Sequence, residues 1–280
     1  MDAVLSAERK KIIRKRRIKS FLVATAFIGP AFVCFAFFKY YTSLQSLYYS
    51  FFNYQFNNPP GKFIWFDNYI ALFKNPSFYN QLKNTAVLFI FGMAFGFWVP
   101  IVQALLLNEL GKGKGVYRYL YLIPAGIPSI AMLAVMKYFW DPTGGLANVI
   151  TDALGLGTHL WLLDEGLVKF SLRFFGIMGG GVGMLIYFVA INNISESLYE
   201  AARIDGASRT QSMFRITLPN MKNIISIQFL LALSGSLLAF DDIFVLTQGG
   251  PNRASESIVM GIYNNVYTNS AYGIDRKSVV

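Results

Sequence analysis

The chain has 280 residues, of which 54% are hydrophobic, 16% aromatic and only 14% charged, and its formal net charge is +10. Soluble domains carry about 25% charged residues, so this composition excludes an ordinary soluble protein and favours lipid as the solvent. One cysteine and one histidine exclude an intrachain disulfide and a Cys/His metal cluster.

Residues 1–20 form a basic N-terminal segment. Eight of the 25 lysines and arginines lie between Arg9 and Lys19, directly before the first long apolar run. Basic clusters of this kind flank the cytoplasmic ends of membrane spans, where they can contact lipid headgroups. The positive charge is therefore attributed to membrane lipid, and nucleic acid is not an expected partner.

Residues 21–280 read as one transmembrane domain. Five runs have the length of about 20 largely apolar residues that a spanning helix needs. These runs are Phe21–Tyr41, Thr85–Leu107, Arg118–Trp140, Phe174–Ile194 and Ile224–Leu246. Fifteen of the 25 basic residues fall on the N-terminal side of the membrane in this topology, so a cytoplasmic N-terminus is predicted. The expected fold class is an all-α membrane protein.

Small residues at helical spacing within these spans predict close helix packing. The pairs are Gly92/Gly96, Gly176/Gly180 and Gly179/Gly183. Glycine pairs four residues apart let the backbones of neighbouring helices approach each other. The outer segments are 42–84, 141–173 and the chain after Leu246.

The segment 195–222, called the coupling segment below, is a polar passage between the fourth and fifth spans. Its central part reads EAARIDGASRTQSMFRITLP, residues 200–219. Capping boxes are predicted at Ser197–Glu200 and Ser208–Gln211, with Gly206 ending the first short helix in a left-handed conformation. The residues alone leave two interpretations open: a docking surface for a protein, or an amphipathic loop on anionic lipid.

This passage resembles the EAA signature of bacterial ABC importer permeases. The match comprises Glu-Ala-Ala at 200–202, Gly206, Ile216, Leu218 and Pro219. Further segments are similar to the carbohydrate-uptake branch of these permeases, of the maltose-F and glycerol-phosphate-A type. They are SLYYSFF at 46–52, FDNYIALF at 66–73, KNTAVLF at 83–89, GVYRYLYLIP at 115–124, DPTGG at 141–145 and LTQGGP at 246–251.

The resemblance implies a type I ABC importer transmembrane fold in the bacterial cytoplasmic membrane, with a sixth core span beyond Val280. It implies as partners a second homologous permease, two cytoplasmic ATPase subunits, an extracellular solute-binding protein and a sugar substrate. In that family the segment equivalent to 195–222 docks on the ATPase. The residues assigned to this docking are Glu200, Ala201, Ala202, Arg203, Asp205, Gly206, Ile216, Leu218 and Pro219.

No nucleotide site or cofactor is expected in the chain itself. The phosphate-binding sequence G-x-x-x-x-G-K-[ST] does not occur anywhere in it. The chain is therefore expected to be a transport subunit and not an enzyme. A secondary transporter or channel subunit is the alternative, but inverted repeats and broken helices are not evident in the sequence.

Asp241 and Asp242 are the candidates for a substrate pathway. Charged residues inside a span are costly and mark functional sites, and carboxylates can accept hydrogen bonds from sugar hydroxyls. Phe240 offers a ring on which a sugar can stack, and the resemblance adds the stretch from Ser236 to Phe240. The alternative is that both carboxylates are merely hydrated near the interface or bonded to the missing sixth helix that the resemblance implies.

Overall fold

The computed structural model describes residues 2–54, 60–110, 113–177 and 181–268, with side chains from residue 13 to residue 267. The chain divides into two compact units, residues 1–75 and residues 76–280. Each unit is described by itself below.

The first unit is built on one long helix. Helix α1 (Asp2–Phe35) continues through a π-helical segment, Ala36–Tyr41, into α2 (Thr42–Tyr49). Residues Ile13–Tyr49 are apolar enough to cross a membrane, so the first span extends beyond both ends of the predicted Phe21–Tyr41. The unit ends with an antiparallel pair, β1 (Phe52–Asn53) and β2 (Lys62–Phe63), and with α3 (Asp67–Lys74).

The second unit consists of helices joined by turns and by longer loops such as 154–167 and 247–257. Short π-helical or 3-10 segments extend several of them: Met93–Phe97, Ile123–Gly126, Phe175–Ile177, Met213–Thr217 and Asn264–Thr268. The α-helices are α4 (Pro76–Gly92), α5 (Trp98–Glu109), α6 (Lys114–Leu122), α7 (Ser129–Phe139), α8 (Leu146–Ala153), α9 (Val168–Phe174), α10 (Gly181–Asn192), α11 (Glu196–Ile204), α12 (Arg209–Ser212), α13 (Leu218–Asn220), α14 (Lys222–Leu237), α15 (Asp241–Leu246) and α16 (Ile258–Tyr263).

Three helices of the described residues are long and apolar enough to cross a membrane, or up to five if each bent pair forms one span. Helices α4 and α5 run as one helix over Pro76–Glu109, which contains the predicted span Thr85–Leu107 and extends beyond both of its ends. It packs against α10 in a buried cluster that contains Ile101, Ala104, Met184 and Tyr187.

The third predicted span, Arg118–Trp140, is wrong as a straight helix. The axes of Lys114–Gly126 and Ser129–Phe139 differ by 98°. The break follows from proline: Ile127 precedes Pro128 and adopts an extended conformation (φ −87°, ψ 132°), as the residue before proline prefers.

The fourth and fifth predicted spans also differ from single straight helices. The fourth begins earlier than the predicted Phe174, because Val168–Ile177 is helical and is bent by 41° relative to Gly181–Asn192. The fifth passes the length and hydropathy test over Lys222–Leu246, but α14 ends at Leu237 and α15 begins at Asp241. Broken helices are therefore present, contrary to the expectation from the sequence.

The predicted close packing of helices at glycines is confirmed at Gly92 and Gly176. A Cβ atom at Gly176 would lie 3.3 Å from the backbone of Phe95 and Gly96, whereas one at Gly92 would lie 2.9 Å from the Ser236 hydroxyl. These glycines let the helices around α9 and α14 come close to the α4–α5 helix. Gly179 and Gly180 lie outside the described residues.

A second buried cluster joins α4, α9, α15 and α16 through Leu88, Leu172, Ile243 and Met260. The loop between α15 and α16 is tied to α4 by polar contacts. Asn84 Nδ2 donates to the carbonyl oxygens of Arg253 (2.9 Å) and Glu256 (3.2 Å). This arrangement fixes α15 relative to α9.

Residues 141–164, part of the predicted outer segment 141–173, fold into a hairpin around Asn148. The Asn148 Oδ1 atom accepts hydrogen bonds from the His159 amide (2.9 Å) and the Trp161 indole (2.8 Å). The turn before it is fixed by Asp141, whose Oδ1 accepts bonds from the Thr143 hydroxyl (2.6 Å) and amide (2.8 Å). The bond from the Thr143 hydroxyl is the main cause that holds the pKa of Asp141 below its usual value.

Two neighbouring glycines of this turn give a matched test of its packing. A Cβ atom at Gly145 would lie 2.5 Å from the Asp141 backbone, whereas at Gly144 nothing lies within 4 Å. We expect Gly145→Ala to lower the apparent melting temperature of the purified chain, at a cost of about 1–3 kcal/mol. Gly144→Ala is the control and should unfold like the wild type; equal melting temperatures for both variants would contradict the described turn.

Coupling segment and candidate translocation cavity

The first half of the coupling segment is a short helix closed by Gly206. Gly206 has φ +73°, which confirms the predicted left-handed conformation. Its amide donates to the Arg203 carbonyl (3.1 Å), and the Ala207 amide donates to the Ala202 carbonyl (2.8 Å). This pair of bonds is the Schellman pattern, in which a residue with positive φ reverses the chain at the helix end.

The first predicted capping box is wrong, and the second is confirmed. Helix α11 begins at Glu196, so Ser197 already lies inside the helix and cannot cap it. The Ser197 hydroxyl instead contacts the Ser195 hydroxyl at 2.7 Å. At the start of α12, the Gln211 amide donates to Ser208 Oγ (3.3 Å) and the Ser208 amide donates to Gln211 Oε1 (2.8 Å).

The second half of the coupling segment runs with helical turns into α14. The Tyr199 hydroxyl lies 2.9 Å from the hydroxyl of buried Thr217, and this hydrogen bond ties α11 to the second half. Pro219 lies at the start of the short helix α13, where a missing amide proton is tolerated. The chain reversal at Gly206 between α11 and α12, called the corner below, is thus fixed on both sides.

Most of the assigned docking residues are exposed. Glu200, Ala201, Arg203, Asp205 and Pro219 are exposed, whereas Ala202, Ile216 and Leu218 are half-buried. Two large apolar side chains beside them are also uncovered: Ile204 is 86% exposed and Phe214 is 60% exposed. The segment therefore presents charged and apolar groups together on one corner.

The second site is a cavity of about 460 Å³ beside the break between α14 and α15. Three of the four pathway candidates from the sequence line it: Phe240, Asp241 and Asp242. The other lining residues are Ser129, Met132, Leu133, Met136, Arg173, Gly235, Leu238 and Ala239. The break itself is held partly by Ser257, whose hydroxyl donates to the Ala239 carbonyl (3.3 Å).

Asp242 is paired inside the chain. Arg173 Nη1 lies 2.8 Å from Asp242 Oδ2, and the two side chains are 14% and 17% exposed. Asp242 is therefore not merely hydrated, because it is bonded to a side chain of α9 in the same chain. Asp241 is exposed at the cavity.

Ser236 does not line the larger cavity, and the Phe240 ring is partly covered by other aromatic rings. Ser236 lines a neighbouring cavity of about 320 Å³, together with Arg173 and four glycines. The Phe240 ring lies nearly parallel to that of Phe244, at 20° with a centroid distance of 5.3 Å, and it also contacts Tyr263. One face of Phe240 is therefore occupied within the protein.

Sequence reasoning missed Arg173. The predicted outer segment ended at residue 173 and the predicted span began at Phe174, but α9 already begins at Val168. The signal was a single arginine within the aromatic run FSLRFF, residues 170–175. An isolated charge in such surroundings needs a partner, and only the folded chain shows that the partner is Asp242.

Apolar helices with breaks, a cavity that is lined in part by Arg173, Asp241 and Asp242, and a separate exposed polar segment are features of a multi-pass all-α membrane transport component. Residues 92–273 match the family described as binding-protein-dependent transport system inner membrane component, so the chain belongs to that family.

Two relatives illustrate the family. The chain is 31% identical to the multiple sugar-binding transport system permease protein MsmF of Streptococcus mutans, over 89% of this chain and 86% of the relative. It is 30% identical to the polygalacturonan/rhamnogalacturonan transport system permease protein YteP of Bacillus subtilis, over 94% and 84%.

Solved structures agree with this assignment. A bacterial ABC transporter involved in the import of the acidic polysaccharide alginate has a chain with TM-score 0.78 and 26% identity, covering 92% of this chain and 88% of that chain. The same type of transporter in complex with an alginate pentasaccharide-bound periplasmic protein gives a TM-score of 0.77 at 27% identity, covering 91% and 86%. The chain is an ABC importer permease subunit with the type I fold, and it is a transport component and not an enzyme.

The ion pair at the cavity can be tested by stability. Removing one member of a buried pair leaves an unmatched charge, so we expect Asp242→Asn to destabilise the chain by up to about 3 kcal/mol. Asp241→Asn, at an exposed neighbour, is the control and should change the apparent melting temperature little. Adding Arg173→Gln to Asp242→Asn should restore part of the loss; equal effects of the two single aspartate variants would contradict the pairing.

Proposed function

We propose that this chain is the permease subunit of an importer that takes up a sugar or oligosaccharide delivered by an extracellular binding protein. A separate ATPase would drive transport through the coupling segment, and the N-terminus would lie in the cytoplasm. The printed names of several relatives refer to sugar or oligosaccharide uptake, and these names support the substrate class.

The observation that carries the proposal is the exposed corner of the coupling segment. A surface with Ile204 almost fully exposed beside Glu200, Arg203 and Asp205 has the mixed apolar and charged character of a protein contact. The corner is also rigid, because Gly206, the capping box at Ser208 and the Tyr199–Thr217 bond fix both sides. A rigid corner can transmit a push from an ATPase to α14.

The uncovered apolar surface of the spans supports a second permease subunit. The second unit has two long helices, Pro76–Glu109 and Lys222–Leu246. In the most apolar stretch of each, the buried share is only 28% and 11%, respectively. Lipid can cover such surfaces, but a pathway needs walls on all sides. A homologous second permease and two ATPase subunits would complete the assembly.

The outer hairpin 141–164 and the loop 247–257 are the proposed contacts for the solute-binding protein. The loop carries exposed Asn252 and Arg253, and Asn252 Nδ2 donates to Glu165 Oε1 (2.7 Å) on the segment just after the hairpin. The hydrogen bond from Arg253 to the Glu256 carboxylate is the main cause that raises the pKa of Arg253. Substrate would then enter towards Ser236, Phe240, Asp241 and Asp242.

The test is co-purification of the ATPase with the chain after co-expression with the second permease. We expect Gly206→Val to abolish recovery of the ATPase, because a β-branched residue is strained at φ +73°. Gly206→Asn is the matched control, since asparagine tolerates the left-handed region, and it should retain most of the ATPase.

A second variant separates docking from folding. Ile204 is 86% exposed, so Ile204→Asp should leave the melting temperature of the chain unchanged while it reduces ATPase recovery by about tenfold or more. Full recovery with both Ile204→Asp and Gly206→Val would overturn the coupling role and favour an amphipathic loop on lipid.

A further inference from the structure

Arg173 uses only one of its three nitrogen atoms. Nη1 donates to Asp242, whereas Nε and Nη2 are buried and have no hydrogen-bond partner among the described residues. In a guanidinium group, Nε and Nη2 form one edge whose two N–H bonds point in parallel. This is the edge that binds two neighbouring oxygen atoms in bidentate fashion.

Arg173 also stands between the two cavities. It lines both the cavity of about 460 Å³ and the cavity of about 320 Å³, and Gly235 is the other residue that they share. The smaller cavity is otherwise walled by Gly92, Gly96, Gly176 and Ser236, with Leu172 and Ala232. Glycine walls leave room for a ligand, so a movement of the Arg173 side chain would bring its free edge to a ligand in either space.

Leaving two N–H donors buried without partners is unfavourable, and the low dielectric of a membrane protein interior increases the cost. A rotation of the Arg173 side chain that gives Nε and Nη2 oxygen partners would therefore lower the free energy. The ion pair with Asp242 keeps the guanidinium at the cavity wall until then.

The charges around the cavity indicate whether carboxylate or hydroxyl oxygen atoms would bind the Nε/Nη2 edge of Arg173. The positive charge of Arg173 is already balanced by Asp242, and Asp241 adds a further negative charge at the same cavity. An additional carboxylate would meet an excess of negative charge, whereas neutral hydroxyl groups would not. Hydroxyls can accept hydrogen bonds from the guanidinium and donate hydrogen bonds to the aspartates.

We propose that Arg173 is a specificity-determining substrate contact, whose Nε/Nη2 edge binds two adjacent hydroxyl groups of a neutral sugar as it passes between the cavities. Asp241 and Asp242 accept hydrogen bonds from the same or neighbouring hydroxyls. This proposal rests on the proposed function, because it needs a sugar in the pathway.

The experiment uses the whole importer, assembled from this chain with its second permease, ATPase and binding protein in proteoliposomes. Uptake is measured for neutral oligosaccharides (maltotriose, xylotriose, raffinose) and for the acidic trigalacturonate. Arg173→Lys keeps the positive charge for Asp242 but cannot present two parallel N–H bonds. Arg118→Lys, at an exposed arginine of α6 away from both cavities, is the matched control.

We expect wild-type uptake of at least one neutral sugar, and a fall of about tenfold or more in Arg173→Lys, because a site built to hydrogen-bond hydroxyl groups loses its paired donors. The half-saturating concentration of loaded binding protein and the amount of co-purified ATPase should stay as in the wild type. Arg118→Lys should transport normally.

Three results would overturn the proposal. Wild-type uptake by Arg173→Lys would show that only the charge is needed, and uptake confined to trigalacturonate would assign the free edge to a carboxylate. Loss of the second permease from the Arg173→Lys complex would make Arg173 an assembly residue. A wild-type chain that recovers no ATPase and imports no sugar would instead refute the proposed function, on which this inference depends.

Discussion

The structure depends on one constraint: in a membrane, each backbone amide and carbonyl and each charge needs a partner within the protein. Uninterrupted helices satisfy the backbone automatically, as the α4–α5 helix does over Pro76–Glu109. A break is tolerated only where other groups or a cavity compensate. The break between α14 and α15 meets this condition, since Ser257 bonds the Ala239 carbonyl and Asp242 pairs with Arg173 beside a cavity.

Helix α14 connects the two sites of the protein. Its first turn follows the coupling segment, and its last turns line the cavities with Gly235 and Ser236. Sixteen helical residues span about 24 Å, so a shift of the exposed corner can be carried to the cavity as a rigid-body movement. Arg173 lines the same cavity as Gly235 and Ser236 of α14, so such a shift would reach the Arg173–Asp242 pair.

The spans leave much of their apolar surface uncovered in the single chain. Large apolar side chains are exposed along the spans, where lipid or another subunit can cover them. By contrast, the polar groups of the loop before α16 have partners within the chain: Glu256 is 1% exposed and bonded to Arg253 and Asn264. The polar groups of this loop are therefore held in place by the chain itself, whereas the apolar surfaces of the spans are open to lipid or to another subunit.

The sequence by itself determined the solvent of the protein, the approximate positions of its apolar runs, the Gly206 corner and the capping box at Ser208, because these follow from local composition, spacing and backbone preference. Neither the break at Pro128 nor the break after Leu237 was predicted, although the proline is a local signal for the first of them. The pairing of Arg173 with Asp242 joins residues 69 positions apart, so only the tertiary structure could decide it. Local patterns report how a residue suits a helix or lipid, but a charge is stabilised by whichever partner the fold brings within reach.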